Sequence, residues 1–302
     1  MMNTDLAYEA SSTLKSNNKQ FKRFDNIKVI ETKVDKKLSK QIRKKEGDYY
    51  LIDISLEDLN DSDSLLRIEE VITKLLKKIL KKEKITPSNK GLIVGLGNLN
   101  ITPDSLGPKV IDKVIVTRHL FELDKNSVDK GISNICALSP GVMGTTGIET
   151  CDIIKALVDK IDIDYIIVVD ALKASSIERV NKTIQLTNSG ISPGSGVGNK
   201  RKELSKDTLG IPVIAIGVPT VVDSLSIALH FFNNIISNKK HENIFKDYNN
   251  LSLKSKEEIT SSLFNQNNSN LIVSLKEIDI DIENFSEIIS GAIDHAVHEI
   301  NA

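Results

Sequence analysis

The stretches GLIVGLGN (residues 91–98) and YIIVVD (residues 165–170) decide the fold of this chain. Both are short apolar runs rich in Ile and Val, a pattern typical of strands that are buried on both faces of a parallel sheet. Asp104 lies in the loop after the first run, and Asp170 directly ends the second. Because reactive groups collect outside the carboxyl ends of parallel strands, we expect the two carboxylates to meet over one cleft as an acid/base pair.

Further apolar runs alternate with amphipathic stretches on either side of this pair. We predict strands at residues 49–54 (the first of the sheet), 92–96, 132–138, 165–169 and 213–218. We predict helices at 64–80, 105–123 and 146–160, and one or two closing helices within 278–300. This rhythm is typical of an α/β protein with three α/β/α layers, in which helices cover both faces of a mostly parallel sheet. Residues 183–187 alternate polar with apolar side chains, which predicts an antiparallel or edge strand.

Changes in composition along the chain suggest one folded domain with a loose beginning. Residues 1–20 are polar and rich in Ser, Asn and Lys, so we predict a flexible N-terminal arm whose ordering is not repaid by burial. Residues 21–302 are predicted to form a single α/β domain. Within it we distinguish a core at about residues 89–236, a mobile surface region at 237–270 and closing C-terminal helices at 271–302.

The composition excludes several classes of protein. The 302 residues are 40% hydrophobic and 27% charged, which is ordinary for a soluble globular protein. Lys and Arg number 40 against 41 Asp and Glu, and the net charge of −1 gives no reason to expect direct binding to nucleic acid or to a membrane. The sequence has no signal-peptide core and no apolar run near the ~18 residues that span a bilayer. Two cysteines without metal-ligand spacing fit a reducing compartment, so we expect a cytoplasmic protein.

Three glycine-rich motifs resemble known sites, but each lacks an essential part. GISPG (residues 190–194) fits the nucleophile elbow of serine hydrolases, yet Pro193 has no N–H to serve as the oxyanion donor after Ser192. GSGVGNKR (residues 194–201) is similar to a P-loop, in which the lysine directly follows the last glycine and precedes Ser or Thr. Here Asn199 stands between the glycine and the lysine, and Arg201 follows the lysine. GLGNLN (residues 95–100) lacks the third glycine of a dinucleotide-binding fold. We therefore predict no cofactor.

The histidines do not form a convincing metal site in the sequence. His295 and His298 are spaced to share one helical face beside Asp294. Because the same helix offers no third ligand nearby, we expect both histidines to be solvated helix residues. The sequence therefore predicts no bound metal.

A long part of the chain resembles one family, the germination proteases, which digest small acid-soluble proteins in germinating bacterial spores. The matching segments are VGLGNL (94–99), TPD (102–104), LGPK (106–109), TRHLFEL (117–123), PGVMG (140–144), GIET (147–150), DAL (170–172), SIERVN (176–181), PGSGVGNKRKE (193–203) and GIPVIAIGVPTVVD (210–223). The likeness is dense over residues 91–224 and looser over 270–298. A likeness this extended is not a chance motif match.

The resemblance implies roles for several residues. The two proposed catalytic aspartates of the family fall on Asp104 and Asp170, the pair already marked by their places after strands. It also implies an endopeptidase that is made as an inactive zymogen and removes its own N-terminal piece by a cut near Asp5 and Leu6. Its substrates would be small acid-soluble spore proteins, its location the forespore and spore core, and its assembly a homotetramer. The core is also similar to the hydrogenase-maturation endopeptidases, whose corresponding acids can hold a metal.

A pair of carboxylates can supply both halves of peptide hydrolysis. In a cleft of low dielectric the two groups cannot both ionise easily, so one keeps its proton while the other acts as a base. We expect one aspartate to activate water, and the other to polarise the carbonyl or protonate the leaving nitrogen. Asn98, Gly141, Gly144 and Gly147 are expected to border the cleft as substrate-binding residues, because they too follow strands.

Other interpretations of the same residues remain open at this point. Asp104 could cap the helix that follows it, and Asp170 could brace a turn. The two acids could also be oxygen ligands in a metal-dependent peptidase of the hydrogenase-maturation type. A non-catalytic binding protein could use the glycine loop at residues 190–200 to hold an anion.

Overall fold

The fold is a mixed sheet covered by helices. The computed structural model describes residues 4–12, 19–24, 26–124, 126, 128–194, 201–237, 251–252, 255–256, 258–259, 262 and 271–298. Within these residues the strands are β1 (Lys19–Phe24), β2 (Ile27–Val34), β3 (Gly47–Asp53), β4 (Gly91–Gly95), β5 (Ile135–Leu138), β6 (Tyr165–Ala174), β7 (Thr183–Thr187), β8 (Val213–Asp223) and β9 (Ile272–Val273).

The strand order confirms the predicted fold class. Across the sheet the order is β1-β2-β3-β7-β8-β6-β4-β5, and β9 pairs with β8. β8, β6, β4 and β5 are parallel to one another and form the half of the sheet that positions the two acids. β7 pairs antiparallel with both β3 and β8, so the predicted antiparallel strand exists and lies inside the sheet.

The antiparallel part of the sheet extends further than the sequence suggested. The strand predicted at residues 49–54 is present as β3, but it is the third strand, because β1 and β2 form an antiparallel meander before it. β1 (KQFKRF) lies at the sheet edge and is basic, as edge strands often are to block further pairing. Such a strand carries no apolar pattern, which is why the sequence analysis missed it.

The helices form a layer on each face of the sheet. They are α1 (Ala7–Ser12), α2 (Lys36–Ile42), α3 (Ser62–Lys82), α4 (Leu106–Ile111), α5 (Arg118–Asp124), α6 (Met143–Thr146), α7 (Thr150–Ile161), α8 (Lys206–Leu209), α9 (Ser224–Ser237) and α10 (Ile278–Val297). Leu92 packs with α7 and α8, whereas Ile93 packs with α3, α4 and α10. Since neighbouring strand residues point to opposite faces, the two cores lie on opposite sides of the sheet and confirm the three layers. No described helix is both long enough and apolar enough to cross a lipid bilayer.

The helix predicted at residues 105–123 is wrong, because the chain breaks it into α4 and α5. The Ile115 N–H donates to the Asp294 carboxylate in α10 (3.1 and 3.3 Å), and the Thr117 N–H donates to the Ile135 carbonyl in β5 (2.9 Å). Backbone amides that find tertiary partners do not need a helix to satisfy them. The helix predicted at residues 146–160 similarly begins later, as α7, because Gly147 ends α6 with a φ of 70°.

The chain closes with one helix, α10, rather than a pair. His298 follows the end of α10 and is 1% exposed, and its Nδ1 accepts a hydrogen bond from the Ser133 N–H (3.1 Å). The expectation of a solvated His298 is therefore wrong, because the end of α10 is packed against the loop before β5. His295 is on the surface, with its Nδ1 2.8 Å from Glu69 Oε1.

Residues 4–12 are packed against the sheet, which corrects the expectation of a flexible arm for this segment. Leu6 and Ala7 are fully buried, and the Ala7 N–H donates to Gln185 Oε1 in β7 (2.9 Å). Apolar burial and satisfied amides together offset the entropy lost on ordering the segment. Residues 13–18 of the predicted arm, and most of the predicted mobile region at 237–270, lie outside the described residues.

Candidate active site

A tightly folded loop places Asp104 at the carboxyl end of β4. The chain turns through Gly97, at a φ of 117°, and enters a short 3-10 turn at Thr102–Asp104. The Asn98 N–H donates to the Asp104 carbonyl oxygen (3.0 Å), and a Cβ on Gly97 would lie 2.0 Å from that oxygen. Because no side chain fits so close a backbone approach, the glycine fixes where Asp104 lies.

The helix-cap interpretation of Asp104 finds no support in the structure. The N-cap of α4 is Ser105, and no side chain closes a cap hydrogen bond there. The Asp104 side chain lines a cleft of about 620 Å³ at the carboxyl ends of the central strands. Its position therefore fits a chemical role better than a capping role.

Asp170 lies within β6, not in a turn. β6 continues to Ala174, and Asp170 pairs with Gly217 of the neighbouring β8. The residue is only 6% exposed, and it lines the same cleft as Asp104. The strand, which is fixed by ladders on both sides, holds this carboxyl against the cleft, so a turn-bracing role is excluded.

The two carboxyl groups perturb each other. Burial raises the pKa of Asp104 to about 6. Burial raises the pKa of Asp170 well above its ordinary value, and the nearby charges of Asp104 and Asp5 raise it further. Two carboxyls of one cleft that both hold their protons above the ordinary pH range are a candidate for acid/base chemistry.

The four predicted substrate-binding residues separate into two groups. Gly141 and Gly144 line the cleft. Asn98 and Gly147 lie outside its lining. Asn98 acts through its backbone amide on the Asp104 loop, and its Oδ1 accepts from the Asn100 N–H (3.0 Å). Gly147 supplies the left-handed turn after α6, so backbone geometry accounts for it.

A buried ion pair that the sequence analysis missed borders the site. Lys173 Nζ lies 2.6 Å from Asp223 Oδ2, and the lysine is 7% exposed. Burial alone would raise the pKa of Asp223, but the bonds from Lys173 and Ser226 hold it below its ordinary value. A lysine inside an otherwise apolar strand was the available signal, since buried lysines are almost always paired.

The N-terminal segment lies along β6 where its neighbour β4 has ended. The β4–β6 ladder stops at the Gly95–Val169 pair, and Lys173 lies beyond it with its amide on the same side as that of Val169. There the Lys173 N–H donates to Asp5 Oδ2 (2.9 Å), and the Asp5 N–H donates to the Lys173 carbonyl (2.9 Å). Asp5 also lines the cleft, so a residue that the sequence marked only as a processing point lies in the candidate active site.

The far rim of the cleft is polar and includes part of the glycine loop. Pro193, Gly194 and Arg201 line it, whereas residues 195–200 lie outside the described residues. Glu149 lines the cleft as well, and its Oε1 accepts from the Lys202 N–H (2.8 Å). This contact fixes the chain where it leaves the glycine loop.

The described part of the chain contains no group of three or more His, Cys, Asp or Glu side chains that could hold a metal ion. Asp104 and Asp170 would therefore need further ligands from water or substrate to bind one.

Comparison with known proteins places the chain in a family. The family model for germination protease matches residues 2–252. The chain belongs to the germination protease family. A germination protease of Clostridium acetobutylicum is 44% identical over 91% of this chain and 86% of its own length. Those of Clostridium tetani (42% identity, 97% of this chain, 94% of the relative) and Bacillus cereus strain B4264 (38% identity, 98% and 93%) match almost throughout.

As a germination protease family member the chain is a peptidase, that is, a hydrolase of peptide bonds. Among solved structures it is similar to the [NiFe] hydrogenase maturation protease HycI of Thermococcus kodakarensis, with 12% identity over 72% of this chain and 98% of that one. The TM-score is 0.34, and so distant a likeness supports no conclusion about this chain.

Proposed function

We propose that this chain is the endopeptidase that starts the digestion of small acid-soluble spore proteins during germination. The observation that carries the proposal is a pair of acids, the half-buried Asp104 and the buried Asp170, lining one cleft in a chain of the germination protease family. The spore location and the substrate class follow from the family's name and from the sequence resemblance.

In the proposed mechanism Asp104 is the base and Asp170 the acid. Asp170 is the more deeply buried of the two, so its proton is lost last, and Asp104 ionises first. Asp104 takes a proton from water as the water oxygen attacks the scissile carbonyl carbon. Asp170 then gives its proton to the leaving nitrogen as the C–N bond breaks. General acid and base catalysis of this kind contributes about 10²–10⁴ each in rate.

We further propose that the protein is made as a zymogen and cuts itself between Asp5 and Leu6. The support is the position of Asp5, which is bonded to Lys173 in the wall of the active-site cleft. A segment held in that place blocks the approach of another polypeptide to Asp170. Self-cleavage would clear it.

The test is incubation of the purified protein with a small acid-soluble spore protein, with the products mapped by mass spectrometry. Asp104→Asn and Asp170→Asn should each abolish cleavage while circular dichroism shows a folded protein. Asp129→Asn, a change at an exposed aspartate, is the matched control and should retain activity. Near-normal cleavage by either active-site variant would remove that residue from the mechanism.

The same assay with a chelator present tests the metal-dependent alternative. Under the proposed mechanism, cleavage continues at an unchanged rate after dialysis against a chelator. Loss of activity that added metal restores would show instead that the two acids act as metal ligands.

A further inference from the structure

Thr220 is a buried polar residue of β8 that the proposed mechanism does not use. It is fully buried and belongs to the wall of the active-site cleft. The Thr220 hydroxyl donates a hydrogen bond to the Pro103 carbonyl (2.7 Å), which is part of the same peptide as the Asp104 nitrogen. This bond therefore joins a strand of the sheet to the turn that carries one of the two acids.

A β-bulge in β8 coincides with Thr220. In the ladder between β6 and β8, Leu172 pairs with Pro219, and the next residue, Lys173, pairs with Val221. Thr220 is therefore an extra residue without a partner in that ladder. A bulge bends its strand and can redirect the side chain that it carries. Pro219 fits here as well, because a proline within a sheet is confined mainly to edges and bulges. The bulge thus releases Thr220 from regular strand pairing next to the cleft.

The other hydrogen bonds of the Asp104 turn are local. The Asp104 N–H donates to the Ile101 carbonyl (2.8 Å), and the Asp104 carbonyl accepts from the Asn98 N–H (3.0 Å). Over the described part of the chain, only Thr220 and the adjoining Ser105 form hydrogen bonds to residues 97–104 from outside that segment. The local bonds shape the turn, whereas the bond from Thr220 ties it to the sheet.

We propose that Thr220 is a positioning residue for Asp104. Its hydroxyl, placed by the bulge in β8, anchors the turn so that the Asp104 carboxyl keeps its place in the cleft. The inference rests on the role of Asp104 in the proposed function. Thr220 itself transfers no proton; it acts through the peptide between Pro103 and Asp104, whose carbonyl oxygen it holds.

Loss of this anchor should lower the rate of catalysis more than it weakens substrate binding. A general base has to lie within hydrogen-bond reach of the water that it activates, about 2.6–3.2 Å between heavy atoms. A displacement of about 1 Å can lower the rate by about 10²-fold. The wall of the cleft that would hold a substrate includes other segments, among them those of Gly141, Met143 and Ile272. We therefore expect kcat to depend on the Thr220 hydroxyl, and KM to depend on it little.

The first test compares the wild-type protein with Thr220→Val, which keeps the shape of the side chain but removes the hydroxyl, on a peptide from a small acid-soluble spore protein. In Thr220→Val, kcat should fall by about 10–10²-fold while KM changes by less than about two-fold. Thr220→Ser keeps the donor and should retain most of kcat. Thr183→Val is the matched control, because Thr183 is equally buried, lies outside the cleft lining and donates to the Arg179 carbonyl (3.1 Å). A wild-type kcat in Thr220→Val would overturn the inference and leave the proposed function standing.

The second test follows backbone hydrogen exchange in the full-length protein by mass spectrometry and needs no activity. The amides of Asn98, Ile101 and Asp104 are hydrogen-bonded within the turn, so their exchange reports how often the turn opens. Exchange in residues 97–105 should be about three- to ten-fold faster in Thr220→Val than in the wild type, the change expected for loss of one hydrogen bond. Thr183→Val should match the wild type. A lowered kcat with unchanged exchange would show that the hydroxyl does not act through the turn, and the inference would be wrong.

The two tests together separate failure of the inference from failure of the proposed function. If the wild-type protein does not cleave the peptide but Thr220→Val loosens the turn, the proposed function fails and the anchoring of the turn holds. If exchange is also unchanged, both fail. Should Thr220→Val not fold, Thr220→Ser and Thr220→Ala make the same comparison, since only the serine keeps a donor. Equal kcat and equal exchange in those two variants would refute the role of the hydroxyl.

Discussion

At the scale of single residues, the burial of Asp170 in the candidate active site should lower stability near neutral pH. Asp170 is a carboxyl packed inside a central strand, where burial and two neighbouring acids oppose its ionisation. Below about pH 4 it is protonated in both the folded and the unfolded state. As the pH rises, the unfolded state ionises first, so the folded state loses relative stability until the pH passes the raised pKa.

Asp170→Asn should therefore stabilise the protein at pH 7 while it abolishes activity. We expect a gain of about 1–2 kcal/mol in the free energy of unfolding, typical of relieving a strained functional group. The gain should shrink towards zero at pH 4, where the native aspartate is already neutral. Denaturant titrations of the variant and the wild type at pH 7 and pH 4 measure the gain and its loss. A variant less stable than wild type at pH 7 would show that the Asp170 carboxylate is well compensated.

Gly107 is a second position near the candidate site where the packing leaves room only for glycine. A Cβ there would lie 2.2 Å from the Leu96 carbonyl oxygen and 2.7 Å from that of Val169. The beginning of α4 therefore touches the residue after β4 and the middle of β6 backbone to backbone, three residues after Asp104.

Gly107→Ala should push α4 away from the sheet and displace Asp104. We expect a loss of about 1–3 kcal/mol in stability, as for other overpacked sites, and a loss of activity on the order of 10²-fold. Gly144→Ala is the matched stability control, because a Cβ there meets nothing within 4 Å. Urea unfolding curves and kcat/KM together check the prediction. Equal stability of the two variants would contradict the close contact.

At the scale of elements, the N-terminal segment behaves as a structural part of the sheet region. α1 and the residues before it pack between β6, β7 and α2 through Leu6, Ala7 and Gln185. The polar composition of residues 1–20 did not indicate this packing, because the buried apolar side chains are only those of Leu6 and Ala7.

Leu6→Ala tests that packing. Loss of a fully buried leucine side chain should destabilise the protein by about 2–4 kcal/mol. Leu66→Ala, at a leucine that is 59% exposed on α3, should change stability by less than about 0.5 kcal/mol. Chemical unfolding followed by circular dichroism compares the two. If Leu6→Ala proves as mild as Leu66→Ala, the segment is not held as the contacts indicate.

At the scale of the whole molecule, the predicted homotetramer needs an apolar surface that a single chain leaves uncovered. Val116, Leu120 and Leu123 lie on and just before α5 at helical spacing, and each is more than 40% exposed. Contiguous exposed apolar side chains of this kind are typical of subunit contacts.

We expect light scattering to give the mass of four copies for the wild-type protein. The double change Leu120→Glu and Leu123→Glu should lower that mass, because each glutamate would have to enter the contact charged. Leu66→Glu introduces the same type of substitution, with one charge instead of two, at an exposed leucine on α3 and should leave the assembly intact. A tetramer that survives the double change would place the contact elsewhere, and a monomeric wild type would refute the assembly.

The sequence by itself determined the parallel centre of the fold and the two aspartates. Runs of Ile and Val followed by an acid are a local signal, and the rule that parallel strands end at one edge turns it into a spatial prediction. The basic edge strand β1 and the break between α4 and α5 gave no such signal. The position of β1 at the sheet edge and the hydrogen bond from the Ile115 N–H to Asp294 both depend on partners far along the chain.

Only the tertiary structure decided how the site is charged. Whether Asp104 and Asp170 perturb each other, and which is buried more deeply, depends on how loops pack over the strand ends. The resemblance placed Asp5 near a cut, but its bond to Lys173 arises because β4 ends at Gly95 and leaves the Lys173 amide beyond the β4–β6 ladder. Electrostatic effects depend on distance and burial, and neither is written in the order of residues.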